Sequence, residues 1–347
     1  MKTDCLVVGQ GISGTWLSFF LEKEGVDHIV IDDGFWGSAS RLAGGLINPV
    51  TGRHKVKTWM ADQLLPFCWE HYQAIGHLLQ EIVIEQKDII ECFSNVEAVK
   101  LFERRVQENP AYLSTLDSAF QAASCFQNIA GFGRIHPAYL VNVDTLLKKW
   151  RARLQQQNRL LEKKFDASTL QKTSAGFQWE NLQFNKIIYC EGISLQDRKK
   201  SSSIPFAPTK GEALIISIPS LPTHVIYKNK LNLLPLPANG HWWVGASVEW
   251  AFENEKPTPT FKEQTLQALE QWLKVPFALV EHRSALRLGT MERRPLVGMD
   301  PTEPGVGYLN AMGTKGCSLA PYFARQLVRQ LVFKEPIHSE ANWARFT

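Results

Sequence analysis

Residues 5–25, CLVVGQGISGTWLSFFLEKEG, decide how the chain begins to fold. Cys5 to Val8 form a short apolar run suited to a central strand of a parallel sheet. Gly9, Gly11 and Gly14 then hold the G-x-G-x-x-G spacing, and Trp16, Leu17, Phe20 and Leu21 recur at helical spacing until Gly25 supplies a stop. Gly9 permits a sharp turn, Gly11 lets a pyrophosphate approach the backbone, and Gly14 lets helix pack closely on strand. The helix N-terminus, at Ile12 and Ser13, adds N–H groups and a positive dipole end for phosphate. Glycine triplets also arise by chance in loops, so the spacing alone is weak. Here a strand precedes it, a helix follows it, and a second strand, HIVIDD (28–33), ends in Asp32 and Asp33. An acid roughly 20 residues past the glycines is placed to accept adenosine ribose hydroxyls. The stretch predicts a dinucleotide site, not a ligand-free βαβ unit.

Composition sets the limits around that site. The 347 residues suffice for a large core and two domains, and 44% hydrophobic with 21% charged residues is an ordinary globular balance. Cys5, Cys68, Cys92, Cys125, Cys190 and Cys317 are scattered with no C-x-x-C pair. They read as reduced thiols of a cytoplasmic protein, with neither a disulfide frame nor a metal site. The strand starts almost at Met1, which leaves no room for a signal peptide, and no apolar run reaches the ~20 residues of a bilayer span. Net charge is +4, and the short basic clusters at Arg104–Arg105, Lys148–Lys149, Lys163–Lys164 and Arg198–Lys200 read as solvated faces. Metal hydrolysis and serine chemistry find no H-E-x-x-H, P-loop or G-x-S-x-G to support them.

Beyond Asp33 a long glycine-rich connection, GFWGSASRLAGGLINPVTGRHKVKTW (34–59), has the length of a functional loop. WMADQLLPFCWEHYQAIGHLLQE (59–81) reads as a helix with a kink or break expected at Pro66. EAVKLFERRVQE is a helix among short β-like runs, and RIHPAYLVNVDTLLKKWRARLQQQ (134–157) reads as a helix opened by Pro137. NLQFNKIIYCEG (181–192) is another buried strand. After RKKSSSIP, a domain crossing, GEALIISI, HVIYKNKLNLLPLP and GHWWVGASVEW alternate with Pro and Gly turns and predict an antiparallel sheet. FKEQTLQALEQWLKV is helical and LRLGTMERRPLVGMDP loop-rich. GVGYLNAMGTKGCSLAPYFARQLVRQLVF (305–333) then repeats the order strand, glycine turn, helix.

Taken together, these segments resemble an FAD-dependent oxidoreductase of the D-amino acid oxidase superfamily, which includes glycine oxidase and sarcosine oxidase. Besides the N-terminal motif, SASRLAGGLINP resembles that family's Ser-rich, Ala-Gly-Gly flavin loop, IIYCEGISL its late strand, PTKGEALII its P-x-x-G-x-L turn, and WWVGASVEW its W-x-V-G-x-T-x-E. Arg287, Pro295 and Gly298 hold the spacing of its G-L-R-P-x-T-x-D-x-x-P-x-I-G, and GTKGCSLAP is similar to the turn and helix that face the flavin ring. The acid of that element is Glu292 here, and Leu288 stands where a proline is usual. The shorter AMGTKG is similar to A-L-G-S-R-G in the oxidase domain of the bifunctional tRNA wobble-uridine modification enzyme, whose methyltransferase half this chain has no room for.

The resemblance implies an α/β fold: a discontinuous Rossmann-type FAD-binding domain (residues 1–82, 134–200 and 284–347) with a second, mainly antiparallel β substrate domain (α+β; residues 83–133 and 201–283). It implies FAD at Gly9, Gly11, Ile12, Ser13, Gly14, Asp32 and Asp33, with the flavin loop Ser40, Arg41, Ala43, Gly44, Gly45 and Leu46. Gly192 and the turn Gly313, Thr314, Lys315 and Gly316 complete the cofactor set. Some members tether flavin through a cysteine just beyond the arginine; Leu288 and its neighbours offer none, and Cys317 does not match that position, so FAD is expected to be non-covalent.

Flavin oxidation of an amine removes a hydride from the carbon bearing nitrogen, and the protein's task is placement. The resemblance makes Arg287 the grip on a substrate carboxylate, since a guanidinium offers two parallel charge-assisted hydrogen bonds. A salt-bridged structural arginine is the plain alternative, and Arg283 the nearby one. Lys315 would sit at the flavin edge and stabilise charge developing there, or else face solvent. Arg53, His54, Lys55 and Lys57 could line the substrate mouth, with His54 a proton acceptor or simply hydrated. Of Trp242 and Trp243, on opposite strand faces, one belongs to the core and the other could wall the pocket. The expected activity is oxidation of the C–N bond of an amino acid or N-substituted glycine, with oxygen or a quinone as electron acceptor. The alternatives are a tRNA-modifying oxidase acting on a carboxymethylaminomethyl uridine and a non-catalytic flavin-binding protein.

Overall fold

In the computed structural model, which describes residues 1–35, 37–52, 54–116, 120, 122–198, 204–237 and 240–346, two eight-stranded sheets organise the chain. The first is built around Lys2–Val8, which pairs in parallel with His28–Ile31 on one side and Leu182–Tyr189 on the other. Leu160–Leu161 extends it beyond His28–Ile31, and Val306–Asn310 joins parallel to Leu182–Tyr189. Its central strands are apolar on both faces because both are covered. One face carries the helices Ile12–Lys23, Ala61–Leu79, Val143–Gln156 and Gly316–Phe333, around Trp16, Tyr72, Trp150 and Phe323. The other buries Phe177, Phe184, Leu288 and Trp343.

The second sheet runs in the order Ala278–Arg287, Thr209–Ser217, His241–Gly245, Asn232–Pro235, Ile226–Lys228, Ile89–Phe93, Gly131–Ile135 and Leu113–Leu116. Its pairings are antiparallel except where Ile226–Lys228 meets Ile89–Phe93 in parallel, which joins two separate stretches of chain. Its inner strands alternate between two cores. Leu214, Ile216, Trp242 and Val244 face the helix Pro259–Trp272, while Ala213, Ile215, Leu234 and Trp243 face the flavin loop.

Several local readings give way to the structure. The helix expected from Pro137 begins at Val143, because Asn142 caps it by accepting the Thr145 N–H; Tyr139–Val141 before it is a strand. Ala61–Leu79 continues through Pro66 without a break. Ala278–Arg287 is a ten-residue strand, most of whose residues are exposed or only half-buried, and its last two residues fall in the stretch read as loop-rich. Lys199, Lys200 and most of the expected domain crossing, together with Arg53, lie outside the described residues.

Candidate active site

Three glycine-bearing turns converge at the carboxyl ends of the first sheet. Gly9 has φ +97°, and a Cβ there would stand 2.7 Å from the Cys190 carbonyl. A Cβ on Gly14 would lie 1.8 Å from the Gly9 carbonyl, so helix and strand are in backbone contact. Ile12 donates its N–H to the Ser40 hydroxyl at 3.0 Å, which fastens the second loop to the first. The third turn follows Val306–Asn310: Gly316 packs against Ile12, and the Gly313 N–H donates to the Leu288 carbonyl at 2.9 Å. Asn310 reaches across to the Gly192 carbonyl.

This set fits FAD. The backbone N–H groups of Ser13 and Gly14, at the start of a twelve-residue helix, find no acceptor among the described residues. Such orphaned donors, with a glycine before them in place of a side chain, are what a phosphate satisfies. Asp32 accepts from Gln10 N–H through Oδ2, and from Gly34 N–H and Arg151 through Oδ1. A carboxylate has about four acceptor positions, so one on Oδ2 is left for a ribose hydroxyl. Asp33 is exposed and, among the described residues, engages the Phe35 N–H alone. In the second loop, Trp243 donates to the Leu42 carbonyl at 3.0 Å, and Gly44 is backed by Leu234 and Trp243. Gly45, at φ +81°, has no room for a Cβ beside the Val141 carbonyl. Ala43 is exposed, while Arg41 and Leu46 are half-buried; burial pulls the Arg41 pKa down, against the pull of Asp32.

The second sheet faces these loops with a floor of small residues, Gly211, Ala213 and Gly245. Arg287 lies across it: a Cβ on Gly211 would fall 1.5 Å from its Nη2. Its Nη1 donates to the Ser247 carbonyl at 3.3 Å, and no carboxylate pairs with it among the described residues. Burial alone lowers its pKa, and a guanidinium remains charged all the same. Two residues further on, Gly289 meets Gly313, which brings the turn bearing Lys315 to the end of this strand. Burial pushes the Lys315 ammonium down to about 8, with no opposing carboxylate among the described residues. Arg287 and Lys315 are thus two cations without a carboxylate partner among the described residues, and such groups persist where a ligand supplies the counter-charge.

The other expected residues divide. His54 is exposed on the turn between Val50–Thr51 and Val56–Lys57 and makes no described hydrogen bond there. Arg283 is engaged by Glu281, and Lys57 by Asp62. Trp242 is the core tryptophan and Trp243 the one that holds the flavin loop. Leu288 is buried and supplies the carbonyl that fixes Gly313, while Glu292 pairs with Arg345 at 3.0 Å, so both departures from the family pattern are absorbed structurally. Burial pushes the Cys317 thiol up to about 12, keeping it protonated against Tyr72.

Sequence reasoning did not single out Gly211, Ala213, Gly245, Lys228 or Glu91. The signal for the floor was present: glycine and alanine inside strand runs mark close approach by another group.

The family model described as FAD dependent oxidoreductase (DAO) matches residues 4–330. A curated relative, the tRNA 5-methylaminomethyl-2-thiouridine biosynthesis bifunctional protein MnmC of Idiomarina loihiensis, is 23% identical over 95% of this chain. The chain spans 56% of that relative's length. Among solved structures, glycine oxidase from Geobacillus kaustophilus superposes with a TM-score of 0.80 at 16% identity, covering 100% of this chain and 98% of that one. Iminodiacetate oxidase from Chelativorans sp. BNC1 gives 0.77 at 16% identity, covering 96% of each.

Proposed function

The chain belongs to the DAO family of FAD-dependent oxidoreductases, and from that premise we propose that it oxidises the C–N bond of an amino acid or N-substituted glycine, with FAD held non-covalently. The observation that carries this reading is Arg287, a half-buried guanidinium with no carboxylate partner among the described residues, laid over glycine. Its unspent N–H donors form a planar fork suited to one carboxylate. FAD, when bound, supplies the hydride acceptor. Arg287 holds the acid so that the adjacent C–H stays over one place on the small-residue floor. Lys315 places a positive charge at the neighbouring turn, where it lowers the cost of negative charge arising nearby. Oxygen or a quinone completes turnover as electron acceptor.

Anaerobic stopped-flow mixing with a panel of amino acids and N-alkylglycines tests the reading. Carboxylate-bearing amines should bleach the flavin, and amines of the same shape without the acid should not. Equal bleaching by both would remove Arg287 from substrate binding. Acid precipitation should leave the yellow colour in solution; colour in the pellet would contradict non-covalent FAD.

A second reading, a tRNA-borne carboxymethylaminomethyl uridine, is favoured by the likeness to MnmC along 95% of this chain. The same clamp would serve, because that modification also ends in an N-substituted glycine. The basic clusters give it little support. Lys148 pairs with Asp144 and Lys149 with Glu81, while Arg105, Lys163 and Arg198 pair with Glu108, Glu180 and Glu191.

A further inference from the structure

Arg151, on the helix Val143–Gln156, has surroundings that are the reverse of those around Arg287. Its Nε and Nη2 donate to Glu162 Oε1 at 3.3 and 3.0 Å. Nη2 also reaches the Asp32 carbonyl at 3.2 Å, while Nη1 donates to Asp32 Oδ1 at 2.8 Å and to Gln10 Oε1 at 3.3 Å. A guanidinium has five N–H donors in a fixed fork, so all of them are spent and none is left for a ligand. What Arg151 does, it does through its neighbours. Gln10 stands between Gly9 and Gly11 in the first turn, Asp32 follows the strand His28–Ile31, and Glu162 follows the outer strand Leu160–Leu161. One side chain from a distant helix therefore ties together three pieces of the cofactor cradle. Gln10 is itself fixed, because its amide nitrogen donates to Thr15 Oγ1 at 3.1 Å and to the Leu147 carbonyl at 3.0 Å, which leaves its oxygen for Arg151. Hydrogen bonds from Gln155 and Arg151 hold the exposed Glu162 carboxyl below its ordinary range, so it backs the guanidinium as an anion. Asp32 is gripped at both its carbonyl and its carboxylate. Oδ1 is filled by Gly34 N–H and Arg151, and Gln10 N–H takes one position on Oδ2 at 2.7 Å, so the acceptor position left open is on Oδ2. A carboxylate free to turn would have to be ordered when the ligand binds, and here that cost is met in advance.

We propose that Arg151, backed by Glu162, is a positioning residue for the cofactor: it fixes Asp32 in the orientation that receives the adenosine ribose, and so sets how strongly the protein selects that ribose. This role rests on the reading that FAD occupies the turn from Gly9 to Gly14. Arg151 touches neither substrate nor flavin in it, and acts through Asp32 alone.

The test titrates the full-length apoprotein with FAD and with an FAD analogue whose adenosine lacks both ribose hydroxyls, and reads binding from flavin fluorescence. The wild type should hold FAD roughly tenfold or more tightly than the analogue, the scale of one hydrogen bond to a charged group. Arg151→Met should erase that preference by weakening FAD while leaving the Kd of the analogue unchanged. Arg151→Lys keeps the charge without the fork and should restore only part of the preference. In an Asp32→Ala background, Arg151→Met should change nothing further. Glu162→Gln, at an exposed position, should lower the preference in the same direction, and it carries the test if melting temperatures show that Arg151→Met does not fold. A variant that weakens FAD and the analogue by one factor makes Arg151 a structural brace and overturns the proposal, as does a preference left intact. Equal binding of both cofactors by the wild type removes the ribose from Asp32, and the role of Arg151 with it, while FAD stays. An apoprotein that binds neither would overturn the FAD reading itself.

Discussion

The two faces of the strand Thr209–Ser217 handle buried charge in opposite ways. On the helix-covered face, Glu212 is fully buried and accepts from Thr258 N–H at 2.7 Å, the Thr258 hydroxyl at 2.8 Å, His282 at 2.8 Å and Lys210 at 3.1 Å. Lys210 also reaches Glu249 at 3.3 Å. On the other face, Gly211 and Ala213 are small and buried, and Arg287 lies over Gly211 without an acid among the described residues. A closed network specifies structure, while an open cation is a vacancy for a ligand. The same strand does both because its side chains alternate. The faces are also linked. The Glu212 N–H donates to the Ser247 hydroxyl, and the Ser247 carbonyl receives Arg287, so the closed side sets the position of the open one.

Breaking the closed side should give the largest effect. Glu212→Ala leaves the start of the helix Pro259–Trp272 without its acceptor and Lys210 with only the Glu249 carboxylate, and should cost about 3–5 kcal/mol in chemical denaturation. Acid should act likewise. Burial pushes the Glu212 pKa up, but the Thr258 and Lys210 bonds outweigh it, and the net shift is downward. Its stabilising contribution is therefore present above its ordinary value of 4.5 and is lost as pH falls through the lower folded value. A melting temperature unchanged by Glu212→Ala would show that the network is not what holds this face.

Breaking the open side should cost catalysis and spare the fold. Arg287→Lys loses the bidentate fork and should weaken capture of carboxylate substrates by about 2–3 kcal/mol, measured as kcat/KM. Its melting temperature should hold steady, because no internal acid loses a partner. Parallel losses of stability and activity would make Arg287 structural.

Much of the open side was legible in the sequence, and the closed side was not. Gly9, Gly11, Gly14, Gly44, Gly45 and Gly313 are spaced by local backbone demands, and local patterns survive in a linear string. Arg287 could be placed only through resemblance, since the end of the polar strand that carries it reads as loop. Glu212, His282 and Thr258 are brought together by pairing between distant strands, and no spacing announces that. Lys228 and Glu91 meet across the sheet's parallel junction, between segments 137 residues apart. His54 shows the converse, a residue type suited to chemistry that stands on an exposed turn.

Lys315 sharpens the comparison at smaller scale, because removing an unpaired buried charge should help the apoprotein. Between about 8 and its ordinary 10.5 the folded protein binds fewer protons at this lysine than the unfolded chain, so stability from this group rises with pH across that window. Lys315→Met should remove that slope and raise the apoprotein's melting temperature at neutral pH. In the holoenzyme the same change should slow flavin reduction by roughly tenfold to a hundredfold, if the charge stabilises the transition state. A lower apoprotein melting temperature would mean that the ammonium has found an internal partner after all.

The smallest effect is expected at the surface, and it separates the two substrate readings. Lys148 and Lys149 are each about half exposed and paired with Asp144 and Glu81. Exposed pairs of this kind contribute about 0.2–1 kcal/mol, and their cations are largely neutralised before any polyanion arrives. Replacing both by Ala should therefore leave kcat/KM for a small N-substituted glycine within about twofold, and raising salt from low to moderate should change it little. A tRNA substrate would behave otherwise. Each phosphate neutralised releases counterions, so affinity would fall steeply with salt and the double variant would flatten that slope. Anaerobic reduction by free substrates and by carboxymethylaminomethyl-modified tRNA, each at two salt concentrations, reads both outcomes from one flavin signal. Fast reduction by the tRNA alone, suppressed by salt and by loss of the two lysines, would transfer the open face from a small N-substituted glycine to a nucleic acid.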